Sequence, residues 1–198
     1  MDSEIRIKAL PLGGDRCRFT VDRPVLPDRA VYFPAAAKAV GSPLAQALFA
    51  IPGVAAVLVS HDTVTVTKSS PREWSDLART VGAAIRAQLQ SGVPAVAAAA
   101  LEDIPGEDEI RTRVQHLLDT EINPAVGSHG GWVELLGVQG NDVFLQLGGG
   151  CQGCGMADVT LKQGIETLLR KEIPELGEVL DQTDHAAGRN PYYAQSKK

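Results

Sequence analysis

Cysteine is scarce in this chain, with three residues in 198, and that scarcity excludes a small secreted scaffold stapled by disulfides. A reducing, cytoplasmic setting is expected, with the thiols available for chemistry. Long apolar runs are missing too: none approaches the ~18 residues that span a bilayer, so no membrane contact is expected. The start, Met1-Asp2-Ser3-Glu4, is acidic and is not followed by the apolar core of a secretory signal. Basic excess is also lacking. Lys and Arg number 19 against 24 Asp and Glu, giving a formal charge of -5 and a pI near 5.4, so there is no electrostatic footprint for nucleic acid. The remaining composition, 44% hydrophobic and 22% charged, is that of a soluble globular protein with room for two small cores.

Ile5 and Ile7 alternate with Arg6 and Lys8, which reads as a half-buried strand, and Cys17 to Val21 reads as a second. Pro24, Pro27 and Pro34 make the stretch to Ala39 irregular or a sheet edge, because proline cannot donate to a central ladder. Ser42-Pro43 fits a helix N-cap with proline at the first position; Leu44, Leu48 and Phe49 follow, and Ile51-Pro52-Gly53 stops the run. Val54 to Val59 and Thr63 to Thr67 should form a hairpin turning at His61-Asp62, the threonines giving the second strand one wet face. Ser70-Pro71-Arg72-Glu73 has the form of a capping box, and Trp74, Leu77, Val81, Ile85 and Leu89 then recur at helical spacing as far as Ser91-Gly92.

After an alanine-rich, nonperiodic stretch, Glu107, Asp108 and Glu109 suit the positive end of a helix carrying Ile110, Val114, Leu117 and Leu118, which Asn123-Pro124 should end. Val133 and Leu135, a turn at Gly140-Asn141, then Val143, Leu145 and Leu147 predict a second hairpin, with Asp142, Phe144 and Gln146 facing out or toward a partner. A last helix from about Gly155 to Glu172 places Leu161, Ile165, Leu168 and Leu169 inward and Lys162, Glu166 and Arg170 outward, and Val179-Leu180 fits one more strand. Both halves thus read helix, strand, turn, strand, loop, helix, a pattern that suits a degenerate repeat and is also common among unrelated units.

Soft metal ligands gather in one place only: Gly148-Gly149-Gly150-Cys151-Gln152-Gly153-Cys154-Gly155-Met156. Thiols two residues apart can aim at one metal centre, and glycine lets main-chain N–H groups approach a bulky anionic object. Cys154 lies at or just before a helix N-terminus, which favours thiolate. Iron-sulfur ligation, a thiol-disulfide pair, and zinc or inert structural thiols all fit the spacing. A thioredoxin-type enzyme would place its pair early in a strand–helix–strand unit, whereas this one follows a hairpin. Clusters and structural zinc ordinarily take four protein ligands, and the run supplies two. Cys17, His61, His116, His129 and His185 share no spacing with it, so a second copy across a two-fold axis completes the count most simply. Cys17 itself reads as a structural thiol. His129 is either a donor to bound cargo or a turn residue, Phe144 and Met156 are partner-groove or core residues, and Tyr192-Tyr193 belong to a nonperiodic tail.

The run His129-Gly130-Gly131, the hairpin, the cysteine segment, then Met156, Val159-Thr160-Leu161-Lys162 and Gly164-Ile165-Glu166 resembles the C-terminal domain of NifU and the Nfu iron-sulfur carriers. Ser42-Pro43-Leu44-Ala45, Leu48-Phe49, Ile51-Pro52-Gly53-Val54 and Thr65-Val66-Thr67-Lys68, with Trp74 beyond, are similar to the N-terminal domain of many Nfu proteins. The resemblance implies a carrier rather than an enzyme. In it, a [4Fe-4S] cluster is bridged between two protomers by Cys151 and Cys154 of each and handed to apo iron-sulfur clients after loading by upstream assembly machinery. The competing reading is a thiol-disulfide oxidoreductase using the same pair. The expected fold is α+β in two small domains, each a short sheet or hairpin packed against helices. Residues 1–92 form the Nfu-type domain for client or donor contact, 93–106 a linker, 107–181 the NifU-like cluster domain and 182–198 a mobile tail.

Overall fold

A computed structural model describes residues 4–128, 130–149 and 155–182, with the backbone alone for 149 and 155–160. The chain divides into two units between Pro105 and Gly106. It is an α+β protein in both.

The first unit is built on a five-stranded antiparallel sheet of β1 (Ile7–Gly13), β2 (Arg16–Val21), β3 (Leu26–Phe33), β4 (Val54–His61) and β5 (Thr63–Lys68), in the order β1-β2-β5-β4-β3. Gly13 and Gly14, at φ +91° and +58°, make the first turn in a conformation that costs other residues more. Strand parity sends Cys17, Phe19, Val57, Val59, Val64 and Val66 to one face, where α1 (Pro43–Phe49) and α2 (Trp74–Gln90) cover them. At seven residues α1 is too short to persist alone. Its Ser42 cap, accepting from Ala45 N at 3.1 Å, contributes about 1 kcal/mol. Burying Leu44 and Leu48 completely contributes about 2 kcal/mol each, so packing decides that the helix forms.

β3 takes the edge that suits its one proline, Pro27, and its register shifts between Leu26 and Ala30, across Pro27 and Asp28. Three expectations fail here. β5 has no wet face: Thr63 and Thr65 are 2% and 3% exposed, because β5 lies between β2 and β4, with Arg18 and Leu58 directly across from Thr65. Ser70 does not cap α2, which begins after Glu73 without a side-chain cap; its hydroxyl instead accepts from Arg72 N at 3.1 Å. The stretch expected as a linker is also tied down in its first half. Ala95 and Val96 are buried, Ser42 Oγ donates to Ala95 O at 2.8 Å, and Ala97 N donates to Gly41 O at 2.7 Å. Small apolar side chains and strand-like backbone bonding let an alanine-rich segment pack where periodicity gives no sign of it.

The second unit contains α3 (Glu107–Leu117), a π turn (Leu118–Ile122), α4 (Asn123–Gly127), β6 (Gly131–Gln139), β7 (Asp142–Gly149), α5 (Gly155–Glu172) and β8 (Val179–Asp181). β6 and β7 form the expected hairpin, turning at Gly140 with φ +61°, and β8 adds to β7 in parallel. Ile110, Val114, Val143, Leu145, Ile165 and Leu169 lie in its core. Glu107 carries more than helix-end charge, since its Oε1 accepts from Gly140 N at 2.7 Å and fixes the hairpin turn to α3.

Asn123-Pro124 does not end the helix. Asn123 N donates five residues back to Leu118 O, and the widened turn restarts the ladder so that Pro124 falls at the start of α4, where its missing N–H is not needed. Asp142 is buried rather than outward, its Oδ1 accepting from Glu178 N at 2.5 Å. Arg170 is not outward either: its side chain is 7% exposed and donates to Glu166 Oε1, Leu176 O and Gly177 O at 3.0, 2.9 and 2.7 Å, closing the α5–β8 connection. No helix among the described residues is long and apolar enough to cross a membrane.

Candidate metal centre

Cys151 and Cys154 lie outside the described residues, as do His129, Gly150 and residues 183–198, which include His185 and Tyr192-Tyr193; the side chain of Met156 does too. The frame around the cysteine segment is described on both sides. β7 runs to Gly149, α5 starts at Gly155, and Cys154 immediately precedes that helix in sequence. An 18-residue helix starts directly after the segment in sequence, and a helix N-terminus favours thiolate and other anions.

The ladder beneath it is held at several points. Gly131 pairs with Gly149, Trp132 with Gly148 and Val133 with Leu147. Gly148 has no space for a side chain, because a Cβ there would lie 2.1 Å from Cε2 and Cζ2 of Trp132. Gly130, at φ +71°, donates to Gly127 O at 2.9 Å and turns the chain from α4 into β6. Asn123 then clamps β6 as a strand would: Nδ2 donates to Val133 O at 2.9 Å and Oδ1 accepts from Val133 N at 2.8 Å. The Trp132–Gly148 contact has no sign in composition or periodicity and appears only when the register is known.

Among the described residues Cys17, His61 and His116 take no part in such a frame. Cys17 is fully buried in β2, and burial pushes its thiol up, partly offset by the Leu10 backbone. A thiol held protonated is a poor ligand and nucleophile. His61 sits at φ +46° at the end of β4 and His116 in the last turn of α3. Among the described residues no three His, Cys, Asp or Glu side chains approach closely enough to hold a metal ion. One sequence argument loses force here. β7, α5 and the parallel β8 form a strand–helix–strand unit with the cysteine segment at its first turn, so following a hairpin does not by itself separate this pair from a redox pair.

Comparison with known families adds a separate observation. The model of the scaffold protein Nfu/NifU N-terminal domain matches residues 14–92, and that of the NifU-like domain matches residues 114–180. The chain carries both domains of the Nfu/NifU family. Among curated proteins, "Fe/S biogenesis protein NfuA" of Pseudomonas savastanoi pv. phaseolicola is 51% identical over 94 residues, 46% of this chain and 48% of that protein. The protein of the same name from Pseudomonas aeruginosa is 52% identical over 93 residues, 46% of each chain. The match thus spans about half the length of these curated relatives. Among solved structures, a NifU-like protein of Saccharomyces cerevisiae is similar at 20% identity and a TM-score of 0.44, over 50% of this chain and 91% of that one. Protein SAV1430 of Staphylococcus aureus is similar at 13% identity and a TM-score of 0.35, over 41% and 98%. The residues that build the frame of the NifU-like unit, Asn123, Trp132 and Gly148, all lie within its matched range.

Proposed function

We propose that the chain is an iron-sulfur cluster carrier, binding a [4Fe-4S] cluster through Cys151 and Cys154 of two protomers and passing it to apo-proteins. The observation that carries this reading is a Cys-x-x-Cys segment between the end of β7 and the start of α5 in a NifU-like domain. One chain supplies two thiolates where a cluster takes four, and an isologous dimer completes the set. The cluster is cargo. Transfer proceeds by thiolate exchange: an incoming client thiol loses its proton, its sulfur bonds to an iron, and a carrier thiolate leaves and takes up a proton, with no change in oxidation state. The Nfu-type unit contributes docking to clients or to the assembly machinery that loads the carrier, raising the effective concentration of the two sulfur sets. The setting is cytoplasmic and reducing, and the protein acts as a carrier rather than an enzyme.

The strand–helix–strand position of the pair favours one competing reading, a thiol-disulfide oxidoreductase. Anaerobic reconstitution of the full chain separates the two. A carrier turns brown, binds iron and sulfide in equal amounts, and gives by native mass spectrometry a dimer holding one [4Fe-4S] cluster. A protein that stays colourless and reduces disulfides catalytically overturns the carrier reading. A fully loaded monomer overturns the bridged arrangement.

A further inference from the structure

The indole of Trp132 and the absent side chain of Gly148 form a single feature, and we propose that this pair positions the end of β7 for the cysteine segment and presents the Trp132 indole to the bound cargo. The inference rests on the carrier reading above. Val133 and Leu147, one position further into the ladder, turn into the core, so Trp132 and Gly148 occupy the opposite face. Trp132 is 41% exposed there. Its use is local. A Cβ at residue 148 would meet Cε2 and Cζ2 at 2.1 Å and Nε1 at 2.6 Å, which places the indole directly against the glycine backbone. A side chain at 148 would have to push the indole aside, and the contact covers the last rungs of the ladder, whose glycines would otherwise be free to fray. Gly148 is also three residues before Cys151. A chain extends at most ~3.6 Å per residue, so the Cα of Cys151 is within roughly 11 Å of that of Gly148, against which the indole packs. Trp132 is accordingly a positioning residue that also reports on cargo.

The test uses the full chain in a Trp74→Phe background, which leaves Trp132 the sole tryptophan of two. Trp74 Nε1 is buried without a hydrogen-bond partner, so phenylalanine is well tolerated there. Trp132→Ala, Gly148→Ala and the double variant are compared as apo proteins by circular dichroism, and after anaerobic loading by cluster retention against an iron chelator. Loading should quench most of the Trp132 emission. Gly148→Ala should lose cluster at least about tenfold faster, the scale of an overpacked contact, and Trp132→Ala a few-fold faster. The double variant should return to the rate of Trp132→Ala, because removing the indole makes room for the methyl group. If Gly148→Ala fails to fold, recovery in the double variant still decides. Unchanged emission on loading, normal retention in Gly148→Ala, or a double variant no better than Gly148→Ala overturns the proposal. A background protein that takes up no iron or sulfide overturns the carrier reading and this inference together, whereas normal loading with indistinguishable variants overturns this inference alone.

Discussion

The hairpins β4–β5 and β6–β7 are both preceded by a helix and followed by one, yet the chain leaves them in different ways. After β5 it satisfies itself. Ser69 N donates to Gly53 O at 2.9 Å, Ser70 Oγ accepts from Arg72 N, and Lys68 Nζ donates to Arg72 O, with its ammonium 5.5 Å from the Trp74 ring centroid. After β7 come glycines and thiols, residues that offer little to their own backbone and much to a ligand. One supersecondary frame thus leads in one unit into a turn that bonds to itself and in the other into a sequence of glycines and thiols suited to a ligand.

The largest effect is expected from removing the proposed ligands from the second exit. Cys151→Ser or Cys154→Ser should abolish stable cluster loading, while Cys17→Ser, in the first unit, should leave iron and sulfide per protomer unchanged. Loss of cluster in a folded Cys17 variant would break the division of labour between units. Next in size is Arg170→Met. It removes the donor to the Glu166 carboxylate and to the carbonyls of Leu176 and Gly177, so the second unit should lose about 3 kcal/mol, read as a lower urea midpoint by Trp132 emission.

Gly53→Ala sharpens the comparison from the other side. Gly53 sits at φ +97° with Ser70 Cβ only 2.9 Å from where its own Cβ would be, so the closed exit should cost about 1–3 kcal/mol to disturb. Calorimetry should show the first unit melting earlier, with cluster loading intact. The smallest effect concerns acid. The Arg23 side chain beside Asp22, followed by the Arg6 backbone N–H, holds the Asp22 carboxyl below its ordinary range. A depressed folded-state value adds stability above the unfolded value, and that stability is lost as pH falls through the folded one. Asp22→Asn should therefore lower the melting temperature slightly at neutral pH and not at strongly acid pH, and salt should shrink the difference, because the pair is exposed.

What the sequence revealed follows a physical division. The Ser42-Pro43 helix start, the Trp74 to Leu89 stripe, the glycine turns and the cysteine spacing are local, and each is legible from a few adjacent residues. The buried threonines of β5, the passage of Pro124 through a widened turn and the inward Arg170 depend on neighbours distant in sequence. The Trp132–Gly148 contact shows why counting is not enough. Paired outward from the Gly140-Asn141 turn, Trp132 would oppose Gly149, but the irregularity between Leu135 and Gly137 moves its partner to Gly148. The cysteine pair itself was legible as chemistry, and the structure adds the frame on either side of it.

The π turn at Leu118–Ile122 has a consequence for chain length. It holds one residue more than an α turn needs. Deleting a single residue there would draw the wide turn into a regular α-helix with Pro124 in its interior, where it has no N–H to give and its ring meets the carbonyl four residues back. The usual tolerance is thereby inverted: a loop accepts an insertion or deletion that this helical segment cannot, because the widened turn is what admits the proline.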